Sequence, residues 1–396
     1  MINRAKLPFT GLQLISLAAG VASLALAAAG IFISGPDQFF QAYLYAYLYW
    51  LGLGVGSLSL AMLHYLVGGR WGVIIRRILE AGAKTLWVLA LLFIPLLFGL
   101  RSLYPWAQPD VVAANPVLQH KGILMNVPFF IFRAALYFAV WIFFTWRLTR
   151  MVTQPRYWLD MEDRRVFQRL SAIGLIVYVL LMTFAAVDWI MSLQPDWYST
   201  IYGLIIIIAQ ALVTFSFSLA ILPWLARKKP LSEVVNAGLY RDLGALLFTS
   251  VMGWAYLAFM QLLIIWSGNL PHEAVWYVVR SQGGWLWIGL FAFIFQFALP
   301  FVVLLSLRAK RNPLLLAALG IAIVVTNLVY YYWQVAPVFH PEGFTVHWLD
   351  FVTPIGIGGI WMAAFLWYLE RTPVLLPHGE SLELLKSEEE HPAVAE

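Results

Sequence analysis

Charge is the first thing this sequence lacks. Only 11% of its 396 residues are Asp, Glu, Lys or Arg and 62% are hydrophobic, where soluble globular chains carry roughly 25% charged residues. So little polar surface cannot coat a water-exposed globule, and the chain reads as a polytopic membrane protein. Cysteine is absent altogether. That excludes disulfides, thiolate zinc sites and cysteine-ligated iron–sulfur clusters within the chain. Paired membrane histidines are missing too: of 7 histidines, only His64 falls inside an apolar run. A bis-histidine haem is therefore not expected, nor any metal site. The pI near 9.3 would suit a nucleic-acid partner, but the placement of the basic residues gives a simpler cause.

What is present is a succession of long apolar runs. Taking about 20 residues per crossing, ten spans are expected, at 11–34, 41–69, 85–101, 128–149, 171–193, 199–225, 243–267, 285–308, 314–334 and 351–370. The third is short and is expected to extend back into Arg76–Lys84. The first offers small residues for signal cleavage in LALAAAG, but its apolar run exceeds the about 7–15 residues of a signal core, so it reads as an uncleaved helix. With the N-terminus inside, 21 of the 25 Lys and Arg fall on inner segments and only Arg101, Lys121 and Arg280 on outer ones. This split predicts both termini cytoplasmic and explains the pI without nucleic acid. Residues 1–371 form one transmembrane domain in this reading. The polar tail 372–396, with its Glu388–Glu390 run, is expected to be disordered. The connections 102–127 and 268–284 are rich in Trp, Tyr, Pro and Asn, which suits interfacial connectors and extracytoplasmic docking surfaces alike.

The stretch QAYLYAYLYWLGLGVGSLSLAMLHYLVGG, Gln41 to Gly69, alternates like a strand at first. A membrane strand needs a closed barrel and runs about 9–11 residues, so a stretch this long is a helix. Its tyrosines Tyr43, Tyr45, Tyr47 and Tyr49 then fall at the outer interface, as anchoring rings. At helical spacing Tyr43, Tyr47, Trp50, Gly54, Ser57, Ala61 and His64 form one stripe. Gly52 and Gly56 make a GxxxG pair that permits close helix approach. The G-x-G-x-G pattern follows no strand and is not a nucleotide loop. His64 has two readings, a packed histidine or a protonatable group on an inner path.

Charges inside lipid need a reason, at roughly 2.5–3.5 kcal/mol each on insertion scales. Arg133 and Asp188 lie at equal depth near the outer ends of adjacent antiparallel spans, and a pair is expected. Gln261 lies at similar depth, and Tyr43, Tyr47, Tyr256 and Tyr331 add hydroxyls. On this reading His64, Asp188, Arg133, Tyr43 and Tyr47 are proton-path candidates, and Asp188, Gln261 and Tyr256 are quinone-binding candidates. Glu80, four residues from both Arg76 and Lys84, reads as a helix-surface ion pair. Gln210 and Gln296, mid-span, are expected to hydrogen-bond between helices. Pro95, Pro223 and Pro300 interrupt spans, but no internal repeat supports a stand-alone transporter.

Four blocks carry a family resemblance: YLYWLGLGVGSLSLAMLHYLVGGRWGVIIRRILEA, FIPLLFGLRSLYPWAQP, VDWIMSLQPDWYSTIYG and FMQLLIIWSGNLPHEAVWYVVR. Together they resemble the F subunit of alternative complex III, a bacterial quinol:electron-acceptor oxidoreductase related to the polysulfide reductase-type membrane subunits. The resemblance implies an all-α membrane protein of two four-helix bundles plus extra helices, in the bacterial inner membrane. It implies partners: a quinol-binding C-type paralogue, and iron–sulfur and multihaem cytochrome c subunits that hold the clusters and c-haems. It implies quinone or menaquinone as the mobile carrier, and it points to Asp188 as the functional acid and His64 as the inner candidate. Whether such a chain binds quinone, conducts protons or only positions lipids and partners stays open at this point.

Overall fold

In a computed structural model the described residues are 10–154, 161–227, 229 and 231–372. Among them there is no strand, and ten helices are long and apolar enough to cross a membrane. The chain is thus an all-α multi-pass membrane protein, as its apolar run lengths require. The expected acidic tail beyond Thr372 lies outside the described residues, as do Arg4, Lys6, Arg156, Lys228 and Lys386.

The spans are α1 (Thr10–Ser34), α2 (Pro36–Val67), α3 (Arg70–Lys84) continued by α4 (Leu86–Phe98), α5 (Val127–Val152) and α6 (Met161–Trp189). There follow α7 (Tyr202–Leu225), α8 (Ala237–Gly268), the short α9 (Pro271–Ser281), α10 (Trp285–Phe293) continued by α11 (Leu299–Leu305), α12 (Pro313–Phe339) and α13 (Leu349–Arg371). The third crossing does begin earlier than its apolar core, at Arg70. We call the end carrying residues 99–126 the upper end.

The helices form two four-span groups. Crossings α2, α3–α4, α5 and α6 pack together, as do α7, α8, α10–α11 and α12, and α2 meets α7 and α12 between the groups. The two extra helices, α1 and α13, pack on each other beside α2. Burial follows that placement. The apolar cores of α2 and α7 are 78% and 72% buried, whereas α1 is 17% buried and presents its remaining faces to lipid.

Small residues set a close crossing at the centre of the bundle. A Cβ on Gly56 would lie 2.6 Å from the Gln210 carbonyl of α7, so only glycine lets these two central helices meet here. The GxxxG pair therefore serves the α2–α7 contact.

The tyrosine run of α2 corrects the sequence reading. Tyr43, Tyr45, Tyr47 and Tyr49 are all buried and are not interfacial anchors. Because α2 is surrounded, tyrosines on every side of it meet other helices. Tyr43 donates to the Leu92 carbonyl at 2.7 Å, Tyr47 to Leu89 at 2.9 Å and Tyr49 to Val324 at 3.0 Å.

The prolines show how irregular backbone is tolerated at this depth. A proline lacks an N–H, so the carbonyl four residues before it loses its helical donor. Pro337 would orphan the Trp333 carbonyl, which accepts instead from Arg280 Nε at 3.3 Å. Pro354 would orphan the Asp350 carbonyl, which accepts from the Tyr45 hydroxyl. Ahead of Pro300 the chain opens into a π-turn at Ile294–Ala298, the wide turn that accommodates the missing donor.

Candidate functional site

Polar side chains inside the bundle gather in three places. At the upper end, Arg133 of α5 grips Asp188 of α6 with both arms, Nε to Oδ2 and Nη2 to Oδ1, each at 2.7 Å. The expected pair thus exists, in the bidentate geometry that a planar guanidinium gives. Tyr137, one turn below Arg133, donates to Asp188 Oδ2 at 2.7 Å, and Arg133 Nη1 donates to the Leu124 carbonyl at 2.8 Å. The guanidinium also lies 4.4 Å from the Phe129 ring. Next in the chain, the Trp189 ring packs on Tyr137, Phe93, Phe138 and Trp141.

The V-D-W-I-M-S-L block builds this corner. After α6 it turns through a 3-10 step at Met191–Leu193, where the Ser192 hydroxyl donates to the Asp188 carbonyl at 2.6 Å. Tyr104 and Trp106, from the 99–126 connection, donate to the Trp189 carbonyl at 3.0 Å and to the Ser192 hydroxyl at 3.1 Å. The connection is therefore folded down over the charge pair.

The second place is a cleft between α8, α9, α10 and α12. Its inner part, about 180 Å³, is lined by Gln261, Tyr277, Gln334, Tyr202 and the rings of Trp254, Trp276, Tyr330 and Trp333. An adjoining part of about 470 Å³ shares Leu262, Tyr277, Gly289, Phe293 and Trp333, and continues past Leu290 and Trp266 to the bundle's side. Gln261 is fixed at both ends of its amide. Its Oε1 accepts from Ser199 at 2.9 Å, and its Nε2 donates to the Tyr277 hydroxyl at 3.3 Å. Tyr277 accepts that bond, which leaves its own hydrogen to donate. Burial pushes the Tyr277 phenol up to about 12, so it stays protonated at neutral pH.

Arg280, on α9, lines the larger part of the cleft, and the sequence alone does not single it out. It is buried and donates to the carbonyls of Trp333, Trp276 and Gln334 and to Gln194 Oε1, at 3.3, 3.1, 2.6 and 3.3 Å. The Trp276 ring lies 3.9 Å from its guanidinium. No carboxylate pairs with it among the described residues. Burial pushes it down to about 9, still cationic at neutral pH. A signal exists: Arg280 is one of three basic residues expected on the outer side, and it stands next to a tryptophan-rich turn.

The quinone-binding candidates do not form one pocket. Gln261 lines the cleft. Tyr256, five residues earlier, points about 140° away at 100° per residue and is 58% exposed on the lipid-facing side. Asp188 is not among the cleft's lining residues.

The third place is at the lower end. His64 is buried, its ring against Tyr65 and Trp71, and its Nδ1 has no hydrogen-bond partner among the described residues. Beside it the Arg76–Glu80 pair closes at 2.6 Å with side chains 2% and 1% exposed. This corrects the surface reading: i,i+4 spacing is the same on a buried face, and here α3 lies under α13 and against α2. Glu80 Oε1 also accepts from Tyr65 at 2.9 Å, while its buried Oε2 has no partner among the described residues. Lys84 turns away from Glu80 to donate to Thr372 Oγ1 at 3.2 Å.

Between the upper and lower groups, the mid-span glutamines do join helices. Tyr178 donates to Gln210 at 2.9 Å and Asn327 to Gln296 at 3.2 Å. Neither the protein-family models nor the curated proteins contain a match to this chain.

Proposed function

We propose that this chain is an integral membrane subunit of a quinol:electron-acceptor oxidoreductase of the alternative complex III type, and that it takes quinone in the cleft at Gln261. The four sequence blocks support the family. One observation carries the quinone assignment: an apolar passage from the bundle's side ends in a ring-lined chamber with a few fixed polar groups. An isoprenoid quinone has the matching layout, a flat ring with two oxygens and an apolar tail. The rings of Trp254, Trp276, Tyr330 and Trp333 suit the head, and Gln261 and Tyr277 suit its oxygens. Leu262, Leu290 and Phe293 suit the tail. Sites of this kind are mostly apolar with a few convergent polar groups.

In this reading the upper end faces out, both termini face the cytoplasm, and the membrane is the bacterial inner membrane, from the Lys/Arg distribution. Clusters and c-haems belong to partner subunits, as does the main quinol-oxidising site of the C-type paralogue. A purely structural role is the second reading. The pinning of Tyr43 and Tyr47 to carbonyls of α4 favours it.

The test is gentle purification followed by photolabelling with an azido-quinone. The chain should copurify with multihaem and iron–sulfur subunits. Label should land on α8, α9 or α12, and fall at least about tenfold in Gln261→Leu, the effect of losing about 1.4 kcal/mol of binding. Copurification without label in the cleft leaves the scaffold reading. A chain that purifies alone refutes the complex.

A further inference from the structure

A second site lies between the two groups of helices and α13, apart from the Gln261 cleft and independent of the role proposed there. Asp350 stands in the first turn of α13. None of the ion pairs among the described residues includes it. Its Oδ2 accepts from the His347 backbone N–H at 2.9 Å and from the Tyr332 hydroxyl at 3.4 Å, while Oδ1 has no donor among the described residues. A carboxylate in the first turn of a membrane-spanning helix, with His340 and His347 near it but no arginine or lysine paired to it among the described residues, invites a cation.

Two spaces meet at this residue. One is an apolar groove of about 310 Å³, walled by Phe291, Leu328, Phe344 and Phe351. It opens sideways, where Phe351 is 62% exposed on a membrane-spanning helix. The other is a crevice of about 10 Å³ whose lining includes Gln38, Gln41 and His340, about the room one water-sized group needs. Tyr45, Tyr332 and Asp350 line both. Inside the crevice lining, Gln41 Oε1 is buried with no hydrogen-bond partner among the described residues. So a small polar pocket with two acceptors awaiting donors adjoins a groove that opens sideways.

We infer that this groove and crevice hold a phospholipid with a primary ammonium head, phosphatidylethanolamine. The ammonium brings three N–H donors and no acceptor, which suits Asp350 Oδ1 and Gln41 Oε1 together. Its size suits the crevice, and a trimethylated choline head is too large and has no N–H. A serine head adds a carboxylate that Asp350 would repel. A phosphatidylglycerol head brings no cation. The apolar wall takes the acyl chains, and its sideways opening selects a lipid over a soluble amine.

The test uses the purified full chain, delipidated and returned to nanodiscs with equal parts of ethanolamine, choline and glycerol phospholipids. Native mass spectrometry then reads which lipids stay bound. Wild type should retain the ethanolamine lipid about tenfold over the choline lipid, the scale of a charge-assisted hydrogen bond. Asp350→Asn should abolish the preference, and Gln41→Leu should reduce it. Equal retention of both lipids by wild type, or an unchanged preference in a folded Asp350→Asn chain, overturns the proposal. Should Asp350→Asn fail to fold, the wild-type comparison decides alone. Carbodiimide coupling of Asp350 to a lysine of any copurifying protein would assign the crevice to a protein partner and also overturn it.

Discussion

Asp188 is held on both oxygens by one guanidinium, and its side chain and that of Arg133 are only 11% and 14% exposed. Removing one partner leaves a largely buried charge, so Asp188→Asn and Arg133→Met should each destabilise the fold by about 3 kcal/mol, the lower end for buried pairs. The double variant should lose clearly less than the sum, because no lone charge remains. Unfolding in mixed micelles measures all three. Additive losses would mean that the two charges are solvated separately. The pair was legible from depth and sign alone. Its third member, Tyr137, was not, although it stands four residues after Arg133 on the same helix face. The Arg76–Glu80 pair misleads for a related reason: spacing along a helix tells which side chains meet, and not what covers them.

Helix positions were legible because length and apolarity are local properties. Helix neighbours were not. Arg280 and Trp333 are 53 residues apart, and nothing near either one announces that the arginine fills the carbonyl freed by Pro337. The same holds for Tyr45 and Pro354, whose shared carbonyl is 305 residues from the tyrosine. The tyrosine run misleads for the same reason, since a helix surrounded by others has no belt-facing side. The proline argument makes a sharp prediction. Arg280→Met should cost about 1–3 kcal/mol, the penalty of a buried carbonyl left without a donor. Adding Pro337→Ala should recover part of that loss, because the substituted residue would supply the helical N–H to the Trp333 carbonyl. Thermal unfolding of the single and double variants reads the effect. If Pro337→Ala is equally harmful with and without Arg280, the carbonyl is not what the arginine serves.

At the scale of the whole molecule, the question is whether protons cross. The lower group offers His64 and Glu80, and the upper group offers Asp188 and Tyr137. The stripe between them passes Gly54, Ser57 and Ala61, and it is filled. A Cβ on Gly54 would lie 3.2 Å from a Leu86 methyl, the Ser57 hydroxyl donates to the Leu53 carbonyl at 2.6 Å, and Ala61 is buried. A proton route along this stripe would be two half-paths with a closed middle. At the upper one, Asp188 must also leave the two-armed grip of Arg133 before it can take a proton. For a proton to pass along this stripe, α3–α4 would have to move against α2 and the charge pair would have to open. His64→Phe and Asp188→Asn, each in the assembled complex in sealed vesicles, test the idea through the ratio of protons moved to electrons transferred. A lowered ratio with electron transfer retained assigns the half-paths to this chain. Wild-type ratios in both assembled variants would make these two positions part of a scaffold, and protons would have to cross elsewhere in the complex.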